Sequence, residues 1–144
     1  MLAILRRIPR AHTRNMYLTD LIELSVHSSC HKRIQFIDTC RLVLELYSKK
    51  FFKNYFYQNV ILLADDRVAN VKISFIKLLV DLKKLWKFST DREKLENLDT
   101  IARKLLHDKD KDVFDLAQKA ILQMDLIKPY ITVRIIISGY FKIN

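Results

Sequence analysis

The side chains best suited to chemistry in this sequence lie together at His27, Cys30 and His31. Imidazole and thiolate groups are ordinary zinc ligands, but a structural zinc site takes four ligands, and no fourth is evident nearby. The pattern therefore favours polar residues at a helix end over a metal site. A cobalt absorbance titration would detect a metal site if these residues formed one.

Cys40 is a second candidate, because a histidine could activate its thiol as a nucleophile. It lies in the apolar run 37–46, however, where packing in a core explains it better. A glycine-rich phosphate loop is excluded, since Gly139 is the single glycine of the sequence. The carboxylates between residues 91 and 115 alternate with Lys and Arg, as on solvated helix faces. We therefore expect a protein that is not an enzyme and uses no cofactor.

The composition of the 144 residues favours an all-α domain. Half of the residues are hydrophobic and 29% are charged, which is typical of a folded protein. No glycine or proline occurs between Pro9 and Pro129. Sandwiches and doubly wound sheets need turn glycines, so the chain is predicted to be helical.

The net charge of +10 is concentrated toward the two ends of the sequence. Arg6, Arg7, Arg10 and Arg14 precede the first acidic residue, Asp20. No secretory signal is evident, and two reduced cysteines predict a cytoplasmic location, with the nucleus as an alternative. The arginines also allow a mitochondrial presequence, although that stretch lacks serine. No apolar run approaches the ~20 residues of a membrane span.

Apolar residues recur every three to four positions in six segments, which predicts six amphipathic helices. A capping box formed by Thr90 and Glu93 is expected to start the fifth helix. The predicted helices are 15–26, 32–47, 51–64, 71–86, 90–106 and 113–124.

Short polar turns separate the members of each successive helix pair, and the pairs repeat. Lys32, Val71 and Val113 open the second helix of each pair, at spacings of 39 and 42 residues. Periods near 40 residues with two helices per unit are typical of HEAT and armadillo arrays. The sequence therefore predicts an α-solenoid of about three antiparallel helix pairs.

The turn in the middle pair resembles the HEAT signature, in which an Asp precedes the Val and basic residue that open the second helix. Asp66, Val71 and Lys72 occupy those positions, although Arg67 replaces the usual proline. In the third pair the Asp and Val positions match, whereas Phe114 departs from the basic residue.

The segment 49–56, with sequence KKFFKNYF, together with that signature, resembles the HEAT arrays of the scaffold and regulatory subunits of protein phosphatases 2A and 4. The resemblance spans roughly residues 20 to 128. It implies a non-catalytic, protein-binding scaffold, and as its partner a serine/threonine phosphatase catalytic subunit.

The expected domain organisation has three parts: a basic segment 1–14, the helix pairs 15–48, 50–87 and 90–128, and an apolar non-helical tail 129–144. About three units is the lower limit for a stable stack. Because both flanks are apolar or basic, we expect either part of a longer solenoid or ends that pack against something else.

Polar residues recur at the turn of each pair and are the candidate partner contacts. The resemblance implies that such turns hold partner surfaces, whereas solvated turn charges are the alternative for any single residue. The candidates are His31, Lys32 and Arg33 in the first turn, Arg67, Asn70 and Lys72 in the second, and Lys109 and Lys111 in the third.

Nucleic-acid binding is the alternative function. It would use Lys72, Lys77, Lys83, Lys84 and Lys87, with Trp86 and Phe88 nearby. Such binding weakens steeply with salt, so a salt slope near zero would exclude it.

Overall fold

A computed structural model describes residues 10–127 of the chain, and this part is all-α, as predicted. It contains eight α-helices and no strand. The helices are α1 (Ala11–Glu23), α2 (Cys30–Leu46), α3 (Lys49–Tyr55), α4 (Tyr57–Leu62), α5 (Ala69–Ile76), α6 (Leu79–Lys83), α7 (Arg92–Lys104) and α8 (Lys111–Leu126).

Both chain ends carry predictions that lie outside the described residues. The apolar tail 129–144 is one of them, and most of the basic segment 1–14 is the other. Within 10–14, α1 already begins at Ala11, four residues before the predicted start. Over residues 10–127, none of the helices combines the length and apolar character needed to cross a lipid bilayer.

The first helix of each predicted pair ends in the same way, with a single 3-10 turn followed by an extended residue. The 3-10 turns are Leu24–Val26, Leu63–Asp65 and Leu105–His107. The extended residues are His27, Asp66 and Asp108, with ψ of 145°, 143° and 145°. Each second helix begins three residues later, so the turn geometry recurs at the 39- and 42-residue spacings read from the sequence.

The predicted helix 51–64 is wrong in detail, because the backbone departs from helical angles at Phe56, where φ is −120°. The Phe56 ring is fully buried and lies 6.0 Å from the ring of Phe52 and 6.1 Å from that of Phe36. Hydrogen bonding continues across the break, since Val60 N–H donates to Phe56 O at 3.0 Å. The bend therefore places the large Phe56 ring in the core without loss of backbone hydrogen bonding across the break.

The predicted helix 71–86 is also interrupted, after Ile76. Four of the five residues from Phe75 to Leu79 are buried and Lys77 between them is exposed, which is the pattern of one helical face. The interruption is a tight turn, in which Leu78 N–H donates to Phe75 O at 2.9 Å. The chain divides here into two compact units, with Leu78 as the last residue of unit 1 and Leu79 as the first of unit 2.

The predicted capping box at Thr90 is wrong. Thr90 lies in a turn, where its N–H donates to Lys87 O at 3.3 Å, and α7 begins at Arg92. Asp91 is the N-cap residue but makes no side-chain cap bond. Its carboxylate instead accepts the Lys87 N–H at 2.8 Å, which closes the preceding turn.

Each unit has its own buried core. In unit 1, α2 packs against α5 and the turn Leu24–Val26, and Phe36, Phe52 and Phe75 are fully buried. In unit 2, α8 packs against α6 and α7 around Leu82, Leu98 and Met124. Fully burying a side chain of this size contributes about 1.5–3 kcal/mol.

Candidate functional site

Each of the three turns contains an equivalent internal hydrogen bond, which the side chain of its extended residue accepts. His27 Nδ1 accepts the Ser29 N–H at 3.0 Å. The equivalent bonds are from Val68 N–H to Asp66 Oδ1 and from Asp110 N–H to Asp108 Oδ1, both 2.9 Å. A side chain that bonds to the backbone two residues later mimics a backbone turn and fixes the path of the chain into the next helix.

A bidentate ion pair joins the first turn to the second within unit 1. Arg33 Nε donates to Asp66 Oδ2 at 2.6 Å, and its Nη2 donates to Oδ1 at 3.0 Å. Arg33 Nη1 also donates to the carbonyl oxygens of His27 and Ser28, at 2.7 and 2.9 Å. Because Asp66 also bonds to Val68, one guanidinium and one carboxylate fix both turns.

The protonation states of this pair follow from its burial and bonding. The hydrogen bond to Asp66 raises the pKa of Arg33 above its ordinary value, against the opposing effect of burial. Burial acts to raise the pKa of Asp66, but the bonds from Arg33 and Val68 and the charges of Arg33 and Arg67 outweigh it, so that pKa is lowered. Both groups are therefore charged at neutral pH.

Most of the predicted partner contacts are on the surface. His31 and Lys32 are exposed at the start of α2, directly after the first turn. Arg67 is exposed in the second turn and Asn70 at the start of α5, while Lys72 is half-buried. The Arg33–Asp66 pair joins these two turns and α2 packs against α5, so the backbone segments that carry the four exposed side chains are connected within unit 1. We call these four residues the paired-turn surface.

Arg33 is the exception among the predicted contacts. Its side chain is 8% exposed and is fully engaged within the fold. A partner would have to break a buried ion pair to reach it, so Arg33 is not part of the paired-turn surface.

The third turn lies in unit 2 and carries mixed charges. Lys109 and Lys111 are exposed, but they alternate with Asp108, Asp110 and Asp112. Asp110 caps α8 by accepting the N–H groups of Asp112 and Val113, at 2.9 and 3.2 Å. This turn is therefore much less basic than its two lysines suggest.

The residues considered for chemistry have ordinary roles in the structure. His27 Nδ1 is bonded within the first turn, and no group of three His, Cys, Asp or Glu side chains in residues 10–127 could hold a metal ion. Cys40 is fully buried, and burial raises the pKa of its thiol far above the ordinary value. Only the thiolate is a good nucleophile, so Cys40 is suited to packing.

The lysines of the nucleic-acid alternative do not share one role. Lys83 Nζ donates to Met124 O at 2.6 Å, at the C-terminal end of α8. Lys84 pairs with Asp81 at 3.6 Å, and Lys77 and Lys87 are exposed. At least two of the five lysines are therefore engaged within unit 2.

Comparison with known proteins gives a consistent result. No family model matches the chain. The mouse serine/threonine-protein phosphatase 4 regulatory subunit 4 is 37% identical over 123 residues, and the human protein has the same identity over the same length. The match covers 84% of this chain but 14% of each relative. The predicted resemblance to a phosphatase regulatory subunit is confirmed, and most of the chain is similar to one segment of regulatory subunit 4 of protein phosphatase 4.

Proposed function

We propose that this chain is a non-catalytic, protein-binding scaffold that acts as part of a serine/threonine phosphatase regulatory subunit. The observation that carries the proposal is the 37% identity to regulatory subunit 4 of protein phosphatase 4. By its name that relative is a regulatory and not a catalytic subunit. The partner implied for this chain is the phosphatase 4 catalytic subunit.

Its side-chain chemistry is consistent with a binding role. Arg33 and Asp66, which are joined by two hydrogen bonds, stabilise turns. The candidate nucleophile Cys40 is buried and protonated. Binding rather than catalysis is therefore the function that these residues support, and the compartment proposed for it is the cytoplasm.

We assign partner contact to the paired-turn surface. Its residues are exposed, and a buried ion pair fixes the turns in or next to which they lie, so little backbone ordering entropy is lost on binding. Lys32 and Arg67 make it basic, which favours an acidic face on the partner. Lys109 and Lys111 are a weaker candidate, because acidic residues separate them.

The test is a binding measurement with purified phosphatase 4 catalytic subunit by biolayer interferometry. Arg67→Ala combined with Asn70→Ala removes two exposed groups of the surface. We expect affinity to fall about tenfold, as when one good polar anchor is lost at an interface. The matched control is Lys94→Ala with Asn97→Ala, which removes a basic residue and an asparagine that are also exposed, from α7.

Both possible failures are informative. If the unmodified chain does not bind the catalytic subunit, the phosphatase proposal is wrong. If the two double variants bind as tightly as the unmodified chain, the partner contacts another surface and the paired-turn assignment is wrong.

A further inference from the structure

Three neighbouring aromatic rings form a row in unit 1, from Tyr47, just before α3, to Tyr55, its last residue. The centroids of Tyr47 and Phe51 are 4.7 Å apart with an interplanar angle of 21°. Phe51 and Tyr55 follow at 4.9 Å and 49°. Tyr55 is 40% exposed, and the other two rings are half-buried. The row is therefore a surface feature, unlike Phe52 on the same helix, which is fully buried.

The stretch of sequence that carries this row is basic. Lys49, Lys50 and Lys53 lie within α3, and no acidic residue occurs between Leu46 and Ala64. Lys50 and Asn54 are both exposed and one helical turn apart, so they border the Phe51 and Tyr55 side chains. The acidic residue nearest before this stretch is Glu45, in α2.

The arrangement of the three rings determines which groups of a partner they can contact. Phe51, the central ring, stacks on Tyr47 and also meets Tyr55 and the buried Phe56 at tilted angles, so it offers a partner its edge more than its faces. The edge of an aromatic ring carries positive partial charge. Ring edges beside lysines suit carboxylates and apolar side chains, whereas nucleic-acid bases need free ring faces for stacking.

We propose that this surface, the α3 ladder (Tyr47, Lys50, Phe51, Asn54 and Tyr55), is a docking site for an acidic peptide segment that carries apolar side chains. The carboxylates contact Lys50 and the ring edges, and an apolar side chain packs on Phe51 and Tyr55. Charge complementarity selects this occupant, since the surrounding stretch is basic and lacks acids. The site is separate from the paired-turn surface and does not depend on a phosphatase partner.

The test uses the full chain and a defined probe. The probe is a fluorescein-labelled peptide in which pairs of Asp or Glu flank single Leu and Phe residues. Two controls have the same length: the peptide with Asn and Gln in place of the acids, and single-stranded oligothymidine. We expect the acidic peptide to raise fluorescence anisotropy at low salt, with affinity decreasing as salt increases, and the neutral peptide to bind at least about tenfold more weakly.

Two matched pairs of variants locate the site. Lys50→Glu should weaken binding about tenfold, whereas Lys94→Glu, the same charge change at an exposed lysine of α7, should leave it within about twofold. Tyr55→Ser should also weaken binding, whereas Tyr17→Ser removes a ring of similar exposure, 38% against 40%, and should not. The substituted side chains are exposed, and circular dichroism checks that every variant keeps its helices.

Several outcomes would overturn the proposal. Equal binding by the Lys50→Glu and Lys94→Glu variants would show that net charge alone attracts the peptide. Equal binding of the acidic and neutral peptides would show that the carboxylates do not contribute to binding. Binding of oligothymidine through Tyr55 without binding of the acidic peptide would make the ladder a nucleic-acid site instead.

Discussion

The Arg33–Asp66 pair is the residue-scale interaction on which the first two turns depend. Both side chains are nearly buried, at 8% and 7% exposure, and the geometry is bidentate. Removing one partner leaves an uncompensated buried charge, which costs about 3–5 kcal/mol. We therefore expect Arg33→Ala to lower the free energy of unfolding by this amount, as measured by urea denaturation with circular dichroism.

The exposed pair of Arg41 and Asp38 is the control for that measurement. Its atoms lie 3.1 Å apart, but the side chains are 40% and 57% exposed. Such pairs contribute about 0–1 kcal/mol, so Arg41→Ala should have a small effect. A loss with Arg33→Ala no larger than with Arg41→Ala would mean that the buried pair does not stabilise the turns.

Asp66 also predicts how stability depends on pH. Its pKa is lowered in the folded state, so the folded protein binds a proton there less readily than the unfolded chain. The resulting stability is present above the ordinary Asp pKa of about 3.9 and is lost as pH falls through the lower folded value. The unfolding free energies of the unmodified chain and of Asp66→Asn should therefore converge below about pH 4.

Other carboxylates titrate in the same range, so the informative quantity is the difference between the two proteins. Asp66→Asn removes only one titrating group and keeps similar volume. A difference that stays constant from pH 7 to pH 3 would show that the Asp66 charge does not contribute to stability.

A signal in the sequence could have placed Arg33 correctly. Arg33 lies three and four residues before Phe36 and Ile37, in phase with the buried face of α2. A charged residue on an apolar face needs a buried partner. Asp66, however, is 33 residues away, and the sequence alone does not show that the two turns meet. The sequence therefore predicts a surface contact at this residue.

At the scale of elements, the three turns have the same backbone path but different caps. Only the third has a side-chain N-cap, from Asp110 to the N–H groups of Asp112 and Val113. Ser29 and Val68, at the equivalent positions, make no side-chain cap bond. Tertiary packing and the Arg33–Asp66 pair thus compensate in unit 1 for what capping contributes in unit 2.

This difference predicts the effect of changing the cap. Asp110→Ala should lower the free energy of unfolding by about 1 kcal/mol, because two backbone donors lose their acceptor. Asp110→Asn should cost much less, since asparagine is an equally good N-cap residue. Gln118→Ala, at an exposed position of α8, should have little effect, within about 0.5 kcal/mol. Thermal unfolding followed by circular dichroism checks all three.

Equal losses for the alanine and asparagine variants would exclude the capping explanation. They would show instead that the Asp110 charge matters, for example through the dipole of α8.

The periodicity of apolar residues predicts where helices occur, but it does not predict where a helix is interrupted. Every predicted helix corresponds to helical residues in the structure, because apolar spacing reports which face is buried. The bend at Phe56 places a fully buried ring in the core, and neither this bend nor the break after Ile76 is marked by a glycine or a proline. The predicted capping box at Thr90 is wrong because a turn closed by Asp91 involves the same residues.

At the scale of the whole chain, the contacts define two compact units, and the division falls inside the second predicted helix pair. The three predicted pairs 15–48, 50–87 and 90–128 remain a prediction about repeats. Sequence periodicity reports local units, whereas compactness depends on which side chains share a core. Which side chains share a core cannot be predicted from the spacing of apolar residues in the sequence.

The two cores predict that destabilisation of one unit is felt mainly within it. Phe36 is fully buried in unit 1, and Phe36→Ala removes a large ring at a cost of about 3–5 kcal/mol. Hydrogen exchange followed by mass spectrometry should then show faster exchange in α2 and α5. The amides of α7 and α8, around the core of Leu98, should change much less.

The reciprocal variant makes this prediction specific. Leu98→Ala should accelerate exchange in α7 and α8 and leave α2 comparatively protected, because Leu98 is fully buried in unit 2. In linear repeat proteins, stability is approximately a sum of local terms and nearest-neighbour terms. Uniform acceleration across both units by either variant would show that the chain unfolds as one cooperative block, and the division into two units would then have no energetic meaning.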